Sequence, residues 1–384
     1  CGMQLALLGA NIIKIEPPTG GDQMRNRVLE SQFSAIGMAA GFLAMNIGKR
    51  SLGLDIKSEK GKEILFSLIK KSDVILHNFR AGVVDRLGLD YESVKAINPS
   101  IVYTVISGFG AKGPRSADPA YDGAIQAAAG MMANNGTAES GPLRTGYMPV
   151  DLMTGMTAAY ATTAALLRKQ KTGEGQMVDV AMLDCAITLG SANFARSEVD
   201  DVPDMLIGNQ SITSVPTASS FPTADGSILT AAIMPNHVEA FFDEIGLKEM
   251  LNDPKFATRE ARIENKEIVR DAMIEALQSD TAENWEKRLA PRGVPVAKIN
   301  SVSETSKLEQ LKYRNILAKV PPAKGMENGF KLPGAPFTNS EDGPEVMRPA
   351  PVLGQHTEEI LEEIGIDKST ISILEAEGVI CKDG

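Results

Sequence analysis

The sequence predicts an α/β protein built on a parallel, doubly wound sheet, with a second, smaller α+β domain. Three observations carry this. Short continuous apolar runs alternate with amphipathic helical stretches through the first half, the pattern of parallel strands covered on both faces. The 384 residues exceed the roughly 250–300 at which one hydrophobic core stops growing. Beyond Arg196 the composition turns polar and proline-containing before a half rich in Glu and Lys. The expected division is a large domain over 1–200, a linker over 201–220, a small domain over 221–312, a second linker over 313–340, and a return to the large domain over 341–384.

The opening CGMQLALLGA reads as a helix closed by Gly9, followed by a strand over Asn11–Ile15. A helix with no strand before it is half of a βαβ unit, so roughly 15–25 residues of strand, loop and first helical turn are expected upstream. The absence of Met at position 1 agrees. After the turn EPPTGGD a polar loop leads to GKRSLGLDIKS. Residues Glu59–Lys71 carry an apolar stripe at Ile64, Leu65, Leu68 and Ile69 and predict a helix, with a strand over Asp73–Leu76 directly behind it. A helical region over Val83–Ile97, a strand over Ile101–Ile106 and a helix around Gly123–Met132 follow, and the apolar Met177–Leu183 continues the pattern. In the second half FPTADGSILTAAI predicts a hairpin turning at Asp225 and Gly226. Charged helices run from there to Ala290, then come a strand in VPVAKIN and a helix from Ser303. From Ala318 the chain reads as extended and proline-rich until a helix pair beginning near Thr357. No internal repeat is present.

The stretch Tyr147–Arg168 concentrates the chemistry. Asp151 stands where a proline-led loop enters a long helix that carries no charge until Arg168. The expectation is a helix buried almost all round, packing closely through Gly155, Ala158, Ala161 and Ala165. Asp151 is expected at its N-cap, where free N–H groups and the helix dipole favour an ionised carboxylate.

Composition excludes several functions. A net charge of −10 and a pI near 5.1 argue against a nucleic-acid partner. The longest uncharged run, Leu152–Leu167, is too short to span a bilayer, and no signal peptide is visible. Cys1, Cys185 and Cys381 are sparse and far apart, which suits a reducing cytoplasm. His77, His237 and His356 lie on separate elements without ligand spacing, so no metal is expected. Gly108, Gly110 and Gly113 match G-x-G-x-x-G, yet Pro114 and a polar run follow instead of a helix, which rejects a dinucleotide fingerprint. No G-x-S-x-G is present. Lys49, Arg50, Lys57, Arg80 and Arg86 do gather near strand ends and helix starts, where open α/β sheets bind ligands, and they suggest a phosphate-bearing ligand.

Taken in order, LGANIIKIEPPTGGD, NIGKRSLGLDIKSEKG, DVILHNFRAGVVDRLGLDY, INPSIVYTVISGFGAKGP, PAYDGAIQAAAG, PVDLMTGMTAAYA, TGEGQMVDVAMLD, DPKFATREAR, RGVPVAKIN and PAPVLGQHTEEIL resemble the family III CoA-transferases, with α-methylacyl-CoA racemase as a sister branch. The resemblance implies a Rossmann-like large domain, an interlocked homodimer with the small domain roofing the active site, and CoA thioesters as substrates with no permanently bound cofactor. The family's nucleophilic aspartate falls on Asp151. Its CoA-contacting positions fall on Leu54, Lys57, Asn78, Phe79, Arg80, Arg86 and Leu87, with Lys57, Arg80 and Arg86 meeting phosphates and the two leucines flanking the adenine or pantetheine. Tyr121, which we group with these ligand contacts, stands where the racemase branch has its acid/base histidine. A phenol with an ordinary pKa near 10 abstracts an α-proton poorly, so an epimerase is the runner-up. The region Ala231–His237 has no glycine, unlike the closing loop of formyl-CoA transferase. The expected activity is CoA transfer from an acyl-CoA to a small organic acid, with a non-catalytic CoA-binding protein as a third alternative.

Overall fold

The computed structural model describes residues 1–26 and 31–382; residues 27–30, in the polar loop expected after EPPTGGD, and 383–384, in the expected final segment, lie outside the described residues. The fold is mixed α/β with parallel sheets. The chain forms two compact units, one made of Cys1–Gly130, Thr145–Val199 and Glu309–Gly384, the other of Met131–Arg144 and Asp200–Leu308.

The first unit opens with α1 (Gly2–Leu7), β1 (Ile12–Glu16), α2 (Ala40–Asn46), β2 (Lys49–Leu54) and α3 (Glu59–Lys71). Helix α3 starts where Ser58 Oγ accepts from Gly61 N, carries Glu59 in its first turn and Lys70 and Lys71 in its last, and buries Ile64, Leu65, Leu68 and Ile69. Strand β3 (Val74–His77) follows. The helical region expected over Val83–Ile97 is divided into α4 (Val83–Leu87) and α5 (Tyr91–Ile97). Gly88 ends the first in the left-handed region at φ 69°, and Asp90 caps the second through Ser93 N. Then come β4 (Val102–Ser107), α6 (Asp122–Ala128) and, in the second unit, the two-residue strands β5 (Gly136–Thr137) and β6 (Gly141–Pro142). Back in the first unit lie α7 (Pro149–Thr172), β7 (Gln176–Ala181), α8 (Met182–Leu189) and all but the last residue of α9 (Ser191–Asp200).

Helix α7 differs from the expectation of burial all round. Val150, Thr154, Ala158, Ala159, Thr162 and Ala165 are buried, whereas Leu152, Met156, Tyr160 and Leu167 are exposed. The small residues share one helical face, and only that face lies against strands. Thr162 Oγ1 meets Thr104 Oγ1 of β4 at 2.8 Å, both fully buried. At its far end Lys169 Nζ reaches Asp73, just before β3, at 2.8 Å. The 24 residues of α7 span about 36 Å at 1.5 Å per residue. The helix therefore returns from the carboxyl edge of the parallel trio β3-β4-β7 to its amino edge, with residues 149–151 at the carboxyl edge.

The second unit contains β8 (Ser220–Pro222), β9 (Ser227–Thr230), α10 (Pro235–Glu244), α11 (Pro254–Ala257), α12 (Arg259–Glu264), α13 (Lys266–Leu277), α14 (Ala282–Leu289), β10 (Val296–Lys298) and α15 (Val302–Thr305). The hairpin between β8 and β9 turns through Asp225 and Gly226, with Thr223 N donating to Gly226 O at 2.9 Å. Its sheet, ordered β10-β9-β8, and its helices enclose Phe221, Ile228, Phe241, Phe242, Met273 and Trp285.

The first unit is completed by α16 (Glu309–Arg314), β11 (Leu317–Val320), β12 (Phe330–Pro333), α17 (Thr357–Glu363), α18 (Lys368–Ala376) and β13 (Ile380–Cys381). The segment expected to be merely extended from Ala318 contains the antiparallel pair β11-β12. Strand β13 pairs antiparallel with β2, giving a trio β1-β2-β13 beside the trio β3-β4-β7. Leu52 and Leu54 from β2, Tyr103 and Val105 from β4, and Ile360 and Ile371 from α17 and α18 share one core cluster.

A buried ion pair fixes the segment after β1. Glu16 accepts from Arg25 Nε and Nη2, each at 2.7 Å, and from Ser51 Oγ at 2.8 Å. The guanidinium lies 3.9 Å from the Phe42 ring centroid. Burial alone would raise the Glu16 carboxyl; hydrogen bonding and charge from Arg25 overcome it and leave the carboxyl below its ordinary value. Glu16→Gln leaves the Arg25 charge buried without its counter-ion and is expected to destabilise by about 3–5 kcal/mol, read as a lower denaturant midpoint; an unchanged midpoint refutes the assignment.

Candidate active site

The carboxyl edge of β3-β4-β7 holds two aspartates at the entry to α7. The helix begins at Pro149, with Met148 as N-cap and no side-chain cap from it. Asp151 is thus the third helical residue and not the expected N-cap, because Pro149 takes the first position that proline favours. The capping is supplied from α6. Asp122 Oδ2 accepts from Val150 N at 2.9 Å and from Asp151 N at 3.0 Å. Asp122 is only 6 % exposed, and Gln126 Nε2 donates to its other oxygen at 2.5 Å. Gln126 also donates to Thr145 Oγ1 at 3.0 Å and accepts from Thr145 N at 3.1 Å. Thr145 Oγ1 in turn donates to Tyr147 O at 2.9 Å.

The Asp151 side chain is left outside this network. It reaches solvent, and among the described residues it makes no hydrogen bond or ion pair. Partial burial, with the negative charge of Asp122 added, raises its carboxyl above the ordinary value. This reverses the expected stabilisation of the anion by free helix N–H groups, since Asp122 already occupies them. Nothing in the spacing of the sequence singles out Asp122, Gln126 or Thr145. Proline at 149, a first-turn signal, was the clue that displaces Asp151 from the cap.

Tyr121 immediately precedes this network as the N-cap of α6, 69 % exposed and supplying no side-chain cap. The other ligand-site candidates follow the carboxyl ends of β2 and β3. Leu54 is the last residue of β2 and is 1 % exposed, packed within the core, so the ligand contact expected of its side chain is corrected accordingly. Lys57 is exposed on the next turn, its N donating to Asp55 Oδ1. Asn78, Phe79 and Arg80 are exposed directly after β3. His77 holds them: Phe79 N donates to its Nδ1 at 3.3 Å, and the Phe79 ring stacks on the imidazole. Tyr103 OH donates to Leu89 O, so the 2.8 Å contact between that hydroxyl and His77 Nε2 requires an Nε2–H tautomer. Burial pushes the His77 imidazolium down to about 4, so the ring is neutral at pH 7. Arg86 is exposed on α4, while Leu87 packs partly against the core.

Two cations of the suggested phosphate cluster are engaged elsewhere. Arg50 is buried and bonds Glu359 and Glu363 of α17. Lys49 Nζ donates to Asn46 Oδ1, and burial, aided by the charge of Lys14, pushes it down to about 7. Gly110 and Gly113 take positive φ within a loop, and the next helix starts only at Asp122. Among the described residues no group of three or more His, Cys, Asp or Glu is placed to hold a metal, and no helix is long and apolar enough to cross a membrane.

Comparisons with known proteins agree across the chain. The chain is 31% identical over 376 residues to the succinate–glutarate CoA-transferase of Agrobacterium fabrum, covering 94% of this chain and 91% of that protein. It is 33% identical to the formyl-CoA:oxalate CoA-transferase of Streptomyces coelicolor, covering 98% and 94%. A solved structure of a CAIB/BAIF family protein from Brucella suis superposes with a TM-score of 0.83 at 30% identity, covering 94% of each chain. The sequence profile of CoA-transferase family III matches residues 1–357, and the chain is an enzyme belonging to that family.

Proposed function

We propose that the protein moves CoA from an acyl-CoA donor to a small organic acid through a thioester on Asp151. The observation that carries the reading is an accessible, unpaired carboxylate of raised basicity on the first turn of α7. An Asp151 oxygen attacks the donor thioester carbonyl, and the carbon–sulfur bond breaks to give a mixed anhydride and CoA thiolate. The thiolate attacks the aspartyl carbonyl and expels the donor acid, leaving aspartyl-CoA. The acceptor carboxylate then displaces the thiolate, and the thiolate takes the acceptor acyl group from the second anhydride, which frees Asp151. Donor, acceptor and CoA must be kept together and away from water throughout.

Lys57, Arg80 and Arg86 are proposed as phosphate contacts, with Asn78, Phe79, Leu87 and Tyr121 around the rest of CoA. The support for Lys57, Asn78, Phe79, Arg80 and Arg86 is exposure beyond the carboxyl ends of β2 and β3, where α/β sheets bind ligands. The same reading takes the large domain as Rossmann-like and the assembly as an interlocked homodimer. The exposed apolar side chains Leu152, Met156, Tyr160 and Leu167 on one face of α7 favour a covered surface there.

Incubation with acyl-CoA alone is expected to leave a hydroxylamine-labile adduct on Asp151, detected by mass, and Asp151→Asn is expected to abolish both adduct and transfer. That variant should not lose stability. Because the folded-state proton affinity of Asp151 is raised, ionising it opposes folding, so the wild type is the less stable of the two at neutral pH and the difference closes as acid protonates Asp151. Wild-type turnover by Asp151→Asn removes the mechanism. Arg80→Ala and Arg86→Ala should each weaken CoA binding roughly tenfold or more, the worth of a charge-assisted hydrogen bond, and lessen its salt dependence; unchanged affinity in both moves the phosphate site elsewhere. Light scattering should return a dimer mass at every concentration, and a monomer contradicts the assembly.

A further inference from the structure

We propose that Asp122 is the positioning residue for Asp151, holding the first turn of α7 so that the Asp151 carboxylate stays free to attack. This rests on the nucleophile reading above and deepens it. The entry to a helix normally exposes N–H groups that an acidic side chain in the first turn can fold back to meet. Here none is left for Asp151. Pro149 has no N–H, Val150 N and Asp151 N donate to Asp122 Oδ2, and Leu152 N donates to Met148 O. The anion that takes the positive end of the helix dipole is therefore a buried one, 29 residues away from Asp151 in sequence.

Asp122 is itself fixed. Gln126, 1 % exposed, orients the second Asp122 oxygen and grips both the backbone and the hydroxyl of Thr145. The chain entering α7 and the first turn of α7 are thus tied to one carboxylate. Two consequences follow for catalysis. The attacking oxygen keeps its lone pairs, and the neighbouring negative charge keeps it basic. In addition, the α7 N-terminus has no N–H to offer the oxyanion of a tetrahedral intermediate, so those donors come from other segments.

The test compares Asp122→Ala and Asp122→Asn with wild type. Adduct formation on Asp151 is timed with saturating succinyl-CoA, acetyl-CoA or formyl-CoA, whichever labels the wild type fastest, alongside CoA affinity and thermal melting. Asp122→Ala should slow adduct formation at least tenfold, on the order of the loss from a small misplacement of a reacting group, with CoA affinity within about twofold. Asp122→Asn keeps an acceptor for the two N–H groups while losing the charge and the bond from Gln126. It should melt near the wild type and recover part, but not all, of the rate. Adduct formation at the wild-type rate by folded Asp122→Ala overturns the proposal, and so does an equal loss of rate in Asp122→Ala and Asp122→Asn when both melt near the wild type, since the retained acceptor would then position nothing. Absence of any adduct on the wild type is a separate result that removes the Asp151 nucleophile and this proposal with it.

Discussion

The close seating of α7 on β4 governs where the reactive end of the molecule can lie. Thr162 and Thr104 share a hydrogen bond with both side chains fully buried, which demands that helix and strand approach each other across small residues. Thr154, Ala158, Ala159 and Ala165 supply that face. A larger residue at any of them would lift the helix from the sheet, because interiors are filled at crystal-like density. With the middle seated and Lys169 tied to Asp73 at one end, the other end has little freedom before Asp122 holds it. The placement of Asp151 is therefore a property of the whole helix and its sheet, more than of the loop that carries it.

Most of the fold is legible because local signals agree with burial. Helix α3 has its expected bounds, since Ser58 caps it and its four apolar residues all reach the core. The strands β1, β3 and β4 lie within one residue of their expected ranges, as runs such as Ile101–Ile106 have no competing helical period. The failures have equally local causes. Pro321, Pro322 and Pro333 make the segment around β11 and β12 look unpaired, although the partners flank the proline pair and hydrogen-bond across it. Strand β13 has two residues, too few for any alternation to register. Its pairing with Leu54 and Gly53 is a long-range fact.

At the site the sequence identifies the helix start and its carboxylate but misreads their relation. An aspartate after a proline-led loop resembles a cap, and only the actual first turn shows that the cap belongs to Asp122. Asp122 itself carries no signature, because the two partners it holds on α7 are backbone N–H groups whose identity is independent of side chains. Similarly, Arg50 reads as one more basic residue near a strand, whereas its carboxylates lie on α17, more than three hundred residues later. Contacts of that span leave no mark in local composition.

The pairing of β13 with β2 bears on the order in which the chain can assemble. The core around Leu52, Leu54 and Tyr103 is completed by Ile360, Ile371 and Ile380, so during synthesis the first unit must hold an unfinished apolar face while the whole of the second is made. The second unit has no such debt, as its cluster runs from Phe221 to Val294. An inserted unit able to close its core first separates the last of the other unit's three segments from the two before it in time, and a bound chaperone or a second growing chain would find the waiting surface on β2 and β4 rather than on the inserted unit.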